Sequence, residues 1–276
     1  MFLFEAIKVL IFGVVEGITE WLPVSSTGHM LLLDRFMPLS VSADFYGVFE
    51  VLIQLGAVLA VAVRYKDVLS PIGKSQAERR GVARLWLVTL IGVLPSAVIG
   101  FFLDDIIEER LYSPVIVAIM LVVYGVAFIV AEALMKKRSA SVSALSELTP
   151  RRGLLIGAFQ VLALIPGTSR SGATILGAYI CGATRPVAAE FSFLLAIPTM
   201  LGAGALRAVK FFAEGHRLSA QEIILLALGT LTAYAISRVS VGFLTDFVRR
   251  RGFTAFGVYR IILGGILLFY FLVGRG

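Results

Sequence analysis

Two carboxylates four residues apart, Glu16 and Glu20, begin the chemistry of this chain. On a helix that spacing puts both acids on one face. Ionisable groups inside apolar helices are costly and usually line a polar cavity. The pair suits a hard divalent cation, Mg²⁺ or Ca²⁺, able to bridge phosphate oxygens. A proton relay is the alternative. The purely structural reading has Glu20 snorkelling to the interface while Gly13 and Gly17 mark helix packing. Ser25, Ser26, Thr27 and His29 follow at once. Hydroxyls before a helix read first as an N-cap. The free N–H groups and dipole of such a start also receive anions. A hydroxyl and an imidazole within one turn offer a nucleophile with a base or acid.

Ser169, Arg170, Ser171 and Thr174 repeat the pattern, with a guanidinium where the first copy has Ser26. An intramembrane arginine among hydroxyls matches phosphate or carboxylate recognition and can stabilise charge developing in phosphoryl transfer. A structural ion pair with a membrane glutamate is the compatible alternative. Glu50, Gln54, Glu190, Arg238 and Arg260 are further polar groups in apolar stretches. Glu50 and Glu190 occupy equivalent repeat positions, so a structural role is at least as well supported as a supporting catalytic one. Arg238 and Glu132 are expected to snorkel. His216 is placed in an exposed basic loop without a partner.

Elements must position these groups, and composition says in which solvent. Of 276 residues, 58% are hydrophobic and 16% charged, against about a quarter charged in soluble domains. Mean hydropathy is +0.92. Too little polar surface remains to coat a water-soluble globule, so the bilayer is the expected solvent. The net charge of +7 reads as cytoplasmic loop bias and attraction to anionic lipid rather than as nucleic-acid binding. The single cysteine, Cys181, excludes an internal disulfide. No cleavable signal peptide and no separate soluble domain are expected.

Apolar stretches of bilayer length lie at about 45–63, 85–103, 115–135, 187–206, 222–243 and 256–273. Two more regions, about 4–37 and 153–182, break at Pro23 to His29 and at Pro166 to Gly172. Unpaired backbone at membrane depth survives only inside protein or beside water. Each broken region is therefore predicted to be a re-entrant hairpin of two short helices. A shift of 144 aligns Gly13 with Gly157, Glu16 with Gln160, Ser25 with Ser169 and Gly28 with Gly172, and a shift of 140 aligns Glu50 with Glu190. The expected fold is all-α and integral to the membrane, a single domain. Its six transmembrane helices and two re-entrant hairpins form an inverted-topology repeat, copy one at about 1–138 and copy two at about 150–276.

Lys and Arg cluster at 64–84, 136–152 and 249–251, more than half of the 25 in the chain. Hairpins that return to their own side put all three clusters on one side, as the positive-inside rule requires. Both termini and an acidic loop at 104–109 then face outward.

These residues resemble the bacterial undecaprenyl-diphosphatase family associated with bacitracin resistance. The likeness spans essentially the whole chain. It is strongest from Glu16 through Trp21 and Pro23 to His29, from Pro166 to Thr174, and from Glu190 to Ala196, with no departure at the motif positions. The resemblance implies hydrolysis of undecaprenyl pyrophosphate to the monophosphate, recycling the lipid carrier of peptidoglycan precursors in the bacterial cytoplasmic membrane. It also implies divalent-metal dependence and a site reached from the outer face. By motif position, Glu16 and Glu20 are the acidic pair, Ser26 and His29 the candidate catalytic residues, and Arg170 the phosphate-binding arginine. Ser169, Ser171 and Thr174 would support the phosphate, with Ser25 and Thr27 on the other side. In the expected mechanism Ser26 attacks, His29 moves the proton, and direct attack by water is the rival route. A polyprenyl-phosphate flippase or secondary transporter is the alternative function, because inverted repeats and mid-membrane polar motifs occur there too. The oligomeric state is left open, a homodimer included.

Overall fold

The computed structural model describes residues 2–135 and 138–273, and of Asp104, Asp105, Glu108 and Val273 only the backbone. Lys136 and Lys137 of the second basic cluster lie outside the described residues. Helices α1 (Phe2–Thr19) and α2 (Ser26–Phe36) flank the first break. There follow α3 (Ala43–Arg64), the short α4 (Lys66–Leu69), α5 (Gln76–Leu111) and α6 (Pro114–Met135). The second half repeats the order with α7 (Pro150–Val161), α8 (Arg170–Ile180), α9 (Arg185–Ala213), α10 (Ala220–Arg251) and α11 (Thr254–Val273). Six helices, α3, α5, α6, α9, α10 and α11, are long and apolar enough to cross a bilayer. They coincide with the six apolar stretches of the sequence. Their outer faces expose large apolar side chains such as Leu94, Val98, Leu231, Val239 and Phe269, a surface that lipid covers and water does not.

Two helix ends differ from the expectation. The acidic segment 104–109 is helical, carried to Leu111 by α5, and the arginines at 249–251 form the last turn of α10. Neither stretch contains Gly or Pro, and both consist of helix-compatible residues that continue the hydrogen-bonded ladder into the polar zone. Each helix stops only where Ser113-Pro114 or Gly252 follows.

The halves grip each other reciprocally. Helix α1 lies against α10 and α7 against α5, while α3 meets α9 and α6 meets α11. Glycine makes the first two contacts close. A Cβ on Gly13 would stand 2.7 Å from the Gly229 carbonyl oxygen, and one on Gly153 would stand 2.6 Å from that of Val88. Backbones can approach this closely only where no side chain intervenes. Helix packing and the acid pair therefore coexist on α1, on different faces.

Helices α2 and α8, with 11 residues each, reach only about 16 Å, roughly half the hydrocarbon thickness. Both start from a serine with positive φ, Ser25 at 73° and Ser169 at 74°, the non-glycine residues in that region among those described. Each serine caps its helix by accepting from a glycine three residues on, Gly28 N at 3.3 Å and Gly172 N at 3.1 Å. Backbone strain of this kind costs on the order of 1–3 kcal/mol and persists where surroundings over-determine it.

Candidate active site

The strained caps bring the two breaks together. Glu20 lies just past the last residue of α1, yet its N–H still donates to the Glu16 carbonyl at 3.0 Å, which keeps both acids in helical register. Across the interface, Arg170 at the start of α8 places Nη2 at 2.9 Å and Nε at 3.2 Å from Glu20 Oε1. Its Nη1 donates to the Ser192 carbonyl on α9 at 2.9 Å. The other oxygen of Glu20, Oε2, accepts from Ser26 Oγ at 2.8 Å. One carboxylate thus joins the guanidinium of the second half to the hydroxyl of the first. Trp21 forms the floor, its ring centroid 5.6 Å from the Arg170 guanidinium.

Ser26 and His29 do not pair. Nδ1 of His29 is 2.7 Å from the Ser25 carbonyl, an acceptor only, so Nδ1 carries the proton. Nε2 is then free to accept from the Tyr259 hydroxyl, also at 2.7 Å. Ser26 instead gives its proton's direction to Glu20. The acid Glu20, not the imidazole, is within hydrogen-bond reach of the Ser26 hydroxyl.

Arg260 stitches the breaks from behind. Fully buried, it donates to the Pro23 carbonyl at 3.1 Å in the first break and to those of Gly167 and Thr168 at 2.9 Å each in the second. Its cation also lies 5.5 Å from the Tyr124 ring centroid. Backbone carbonyls stand in for a counter-ion, and they are the acceptors that the broken helices leave over.

Glu16 is buried and its Oε1 has no hydrogen-bond partner among the described residues. Glu20, Glu50 and Arg170 all lie close enough to act on its charge. Glu50 accepts from the Tyr46 hydroxyl at 3.2 Å, and Gln54 follows one turn later, half-buried. Glu190, the repeat counterpart of Glu50, has Arg249 and Arg64 as its electrostatic neighbours instead, at the basic end of the bundle. Equivalent positions in the two halves point to different ends of the molecule.

The hydroxyls divide as well. Ser25, Ser171 and Thr174 are buried. Thr174 is 2.6 Å from Ser192 Oγ, and Ser171 donates to the Leu22 carbonyl at 3.3 Å. Ser26, Thr27 and Ser169 are only half-buried. Among the described residues no group of three His, Cys, Asp or Glu gathers to hold a metal. Two carboxylates with an orphaned oxygen do fit a cation that takes its remaining ligands from phosphate and water, the usual habit of Mg²⁺.

A family model described as bacitracin resistance protein BacA matches residues 9–266. The chain belongs to the BacA family. A protein of Enterococcus faecalis named undecaprenyl-diphosphatase is 48% identical over 267 residues, covering 96% of this chain and 97% of its own. One of the same name from Streptococcus pyogenes serotype M3 is 46% identical over 272 residues, 98% of each chain. This BacA-family member is therefore a multi-pass membrane protein matched over nearly all of its length.

Several groups of this BacA site carry no advance signal or a misleading one. Tyr259 sits in an apolar helix with nothing local to single it out, Ser192 lies inside the Glu190 to Ala196 segment with no role of its own marked there, and Arg260 shows its partners only when the breaks are folded. Glu132 does not snorkel: it is buried, paired with Arg185, and accepts from Phe253 N at 3.1 Å. Arg238 is exposed and donates to the Tyr234 hydroxyl at 3.1 Å. His216 has partners after all, with Asp44 and Glu214 each at 3.6 Å.

Proposed function

We propose that this chain hydrolyses undecaprenyl pyrophosphate to undecaprenyl phosphate and inorganic phosphate in the bacterial cytoplasmic membrane. The relatives' name supplies the reaction, and the Ser26–Glu20–Arg170 chain of hydrogen bonds is the observation that carries it. A pyrophosphate headgroup presents phosphoryl oxygens that a guanidinium and helix-start N–H groups bind. Ser26 Oγ attacks the terminal phosphorus and its proton passes to Glu20 Oε2. The bond from that phosphorus to the bridging oxygen breaks, and undecaprenyl phosphate leaves. Water then attacks the phosphoseryl group, releasing inorganic phosphate and restoring Ser26.

Arg170 has two tasks in this sequence. It holds Glu20 in place before reaction and faces the charge that grows on the phosphoryl oxygens. His29, tied to Ser25 and Tyr259, is a positioning residue for the strained turn on which Ser26 stands. A divalent cation, Mg²⁺ or Ca²⁺, held by Glu16 and Glu20, would neutralise phosphate charge when bound. The isoprenoid tail stays in lipid, both broken regions return to the side they enter from, and the termini and site mouth face outward. A carrier needs charge but no nucleophile, so the Ser26–Glu20 bond favours the hydrolase over a flippase.

The test is phosphate release from purified full-length protein in detergent micelles containing undecaprenyl pyrophosphate, with and without a chelator. Stoichiometric inorganic phosphate and the monophosphate lipid are expected. A protein that binds the lipid but releases no phosphate with either cation supplied would refute the hydrolase.

A further inference from the structure

Helix α8 joins two polar places. It starts at Arg170 in the site described above and ends at Ile180, about 15 Å away along its axis. At that far end lies a cavity of about 500 Å³, lined by Arg138, Arg185 and Arg249 with Ser141, Thr184 and Cys181 among its walls. Among the described residues no Asp or Glu lines it. Arg185 spends its charge on buried Glu132 behind the wall. Arg138 and Arg249 are exposed, and among the described residues neither forms a close ion pair with a carboxylate, although Glu190 lies near enough to Arg249 to act on its charge. Arg152 adds a fourth guanidinium at the edge, donating to Ser141 Oγ at 2.9 Å.

The wall is built. Val142 and Ala183 form a bridge, both buried, with Ser141 N and Val142 N donating to the Gly182 carbonyl at 2.9 and 3.1 Å. Gly182 has φ +93°, and a Cβ there would run into Ser141 Oγ. The 29-residue helix α9 points its start into the same cavity, and its N-cap Thr184 makes no side-chain cap bond. Guanidiniums, hydroxyls and a helix start without a side-chain cap, converging where no acid is among the described lining residues, are the features of a phosphate site.

We propose that this cavity is a second anion site, separate from the hydrolytic one, and that it binds a phosphate group. A volume of about 500 Å³ holds more than a bare phosphate, and the exposed side chain of Ile180 is part of its wall. The phosphate of a lipid headgroup and free inorganic phosphate share the recognising chemistry. The site lies with the basic clusters, on the side that positive-inside bias makes cytoplasmic. It does not depend on the proposed hydrolysis.

Cys181, the chain's one cysteine, is a reporter in the wall. The experiment measures maleimide labelling of Cys181 in the purified full chain. One arm compares potassium phosphate with potassium chloride at equal ionic strength in neutral detergent. The other compares nanodiscs of phosphatidylglycerol with nanodiscs of phosphatidylcholine. Labelling is expected to slow roughly tenfold when the phosphate probe stands near ten times its Kd. The Arg138→Gln, Arg249→Gln double variant should lose the protection, and Arg170→Ala should keep it. Slowing by free phosphate identifies a soluble anion, and slowing by phosphatidylglycerol alone identifies a headgroup. If the thiol labels too slowly, hydrogen exchange at the Arg185 and Val187 amides gives the same reading. No protection in either arm overturns the proposal. So does protection that survives the double variant or disappears with Arg170→Ala.

Discussion

Helices α2 and α8 start from the same strained serine cap, yet every residue of α8 from Ser171 to Tyr179 is buried. In α2 only Gly28 and Met30 are buried. The reason is in the neighbours. Helix α8 packs against α7, α9 and α6, whereas α2 packs against α1 and α6. One tip is thus a rigid wall that carries Arg170. The other is a half-open turn that carries Ser26, Thr27 and His29. A lipid headgroup must enter from somewhere, and the loosely packed side can give way at low cost. In the proposed mechanism the clamp is then fixed, and the attacking hydroxyl sits on the more open tip.

Ser26→Ala, on the open tip, should lower turnover on the order of 10⁴-fold, as loss of a nucleophile does elsewhere. Near-normal phosphate release from that variant would hand the attack to water. Arg170→Ala, on the rigid tip, should cost about 10²–10³-fold in kcat. Circular dichroism and gel filtration should be unchanged, since α8 is anchored by Thr174 and its apolar face. Collapse of the fold instead would make Arg170 a structural residue.

Arg260→Met tests whether the tips are tied together. The carbonyls of Pro23, Gly167 and Thr168 would lose their donor, at about 1–3 kcal/mol for each buried acceptor left unpaired. Melting in mild detergent should fall clearly and activity with it. An unchanged melting temperature would remove Arg260 as the tie. The smallest effects are the sharpest test. Thr174→Val should cost stability, about 1 kcal/mol for the lost Ser192 bond, and leave turnover nearly intact. Thr27→Val should raise KM while melting is unchanged. The reverse pattern would mean that the buried tip, not the open one, meets the substrate.

Legibility differed from residue to residue. The spans were readable because a bilayer imposes a length of about 20 apolar residues, a local property of the chain. The caps at Ser25 and Ser169 were readable because Pro, Gly and hydroxyls end helices by local sterics. Helix ends at Leu111 and Arg251 are not legible locally, because a run of charge is compatible with a loop and equally with a helix that continues into the polar zone. The Ser26–Glu20 bond was not foreseen, since His29 is nearer in a helical turn while Glu20 comes near only after the chain reverses. Glu50 and Glu190 looked interchangeable in the repeat and proved to face different surroundings.

The amino-acid sequence alone determined the solvent, the six apolar helices, the two breaks and the kinds of chemistry gathered there. Each follows from short-range physics, hydropathy and backbone sterics acting within a few residues. Tertiary structure decided which groups meet: Arg170 with Glu20, Tyr259 with His29, and Arg260 with both breaks at once. Those pairs join residues 92 to 237 positions apart, and only the packing of helix on helix closes such distances.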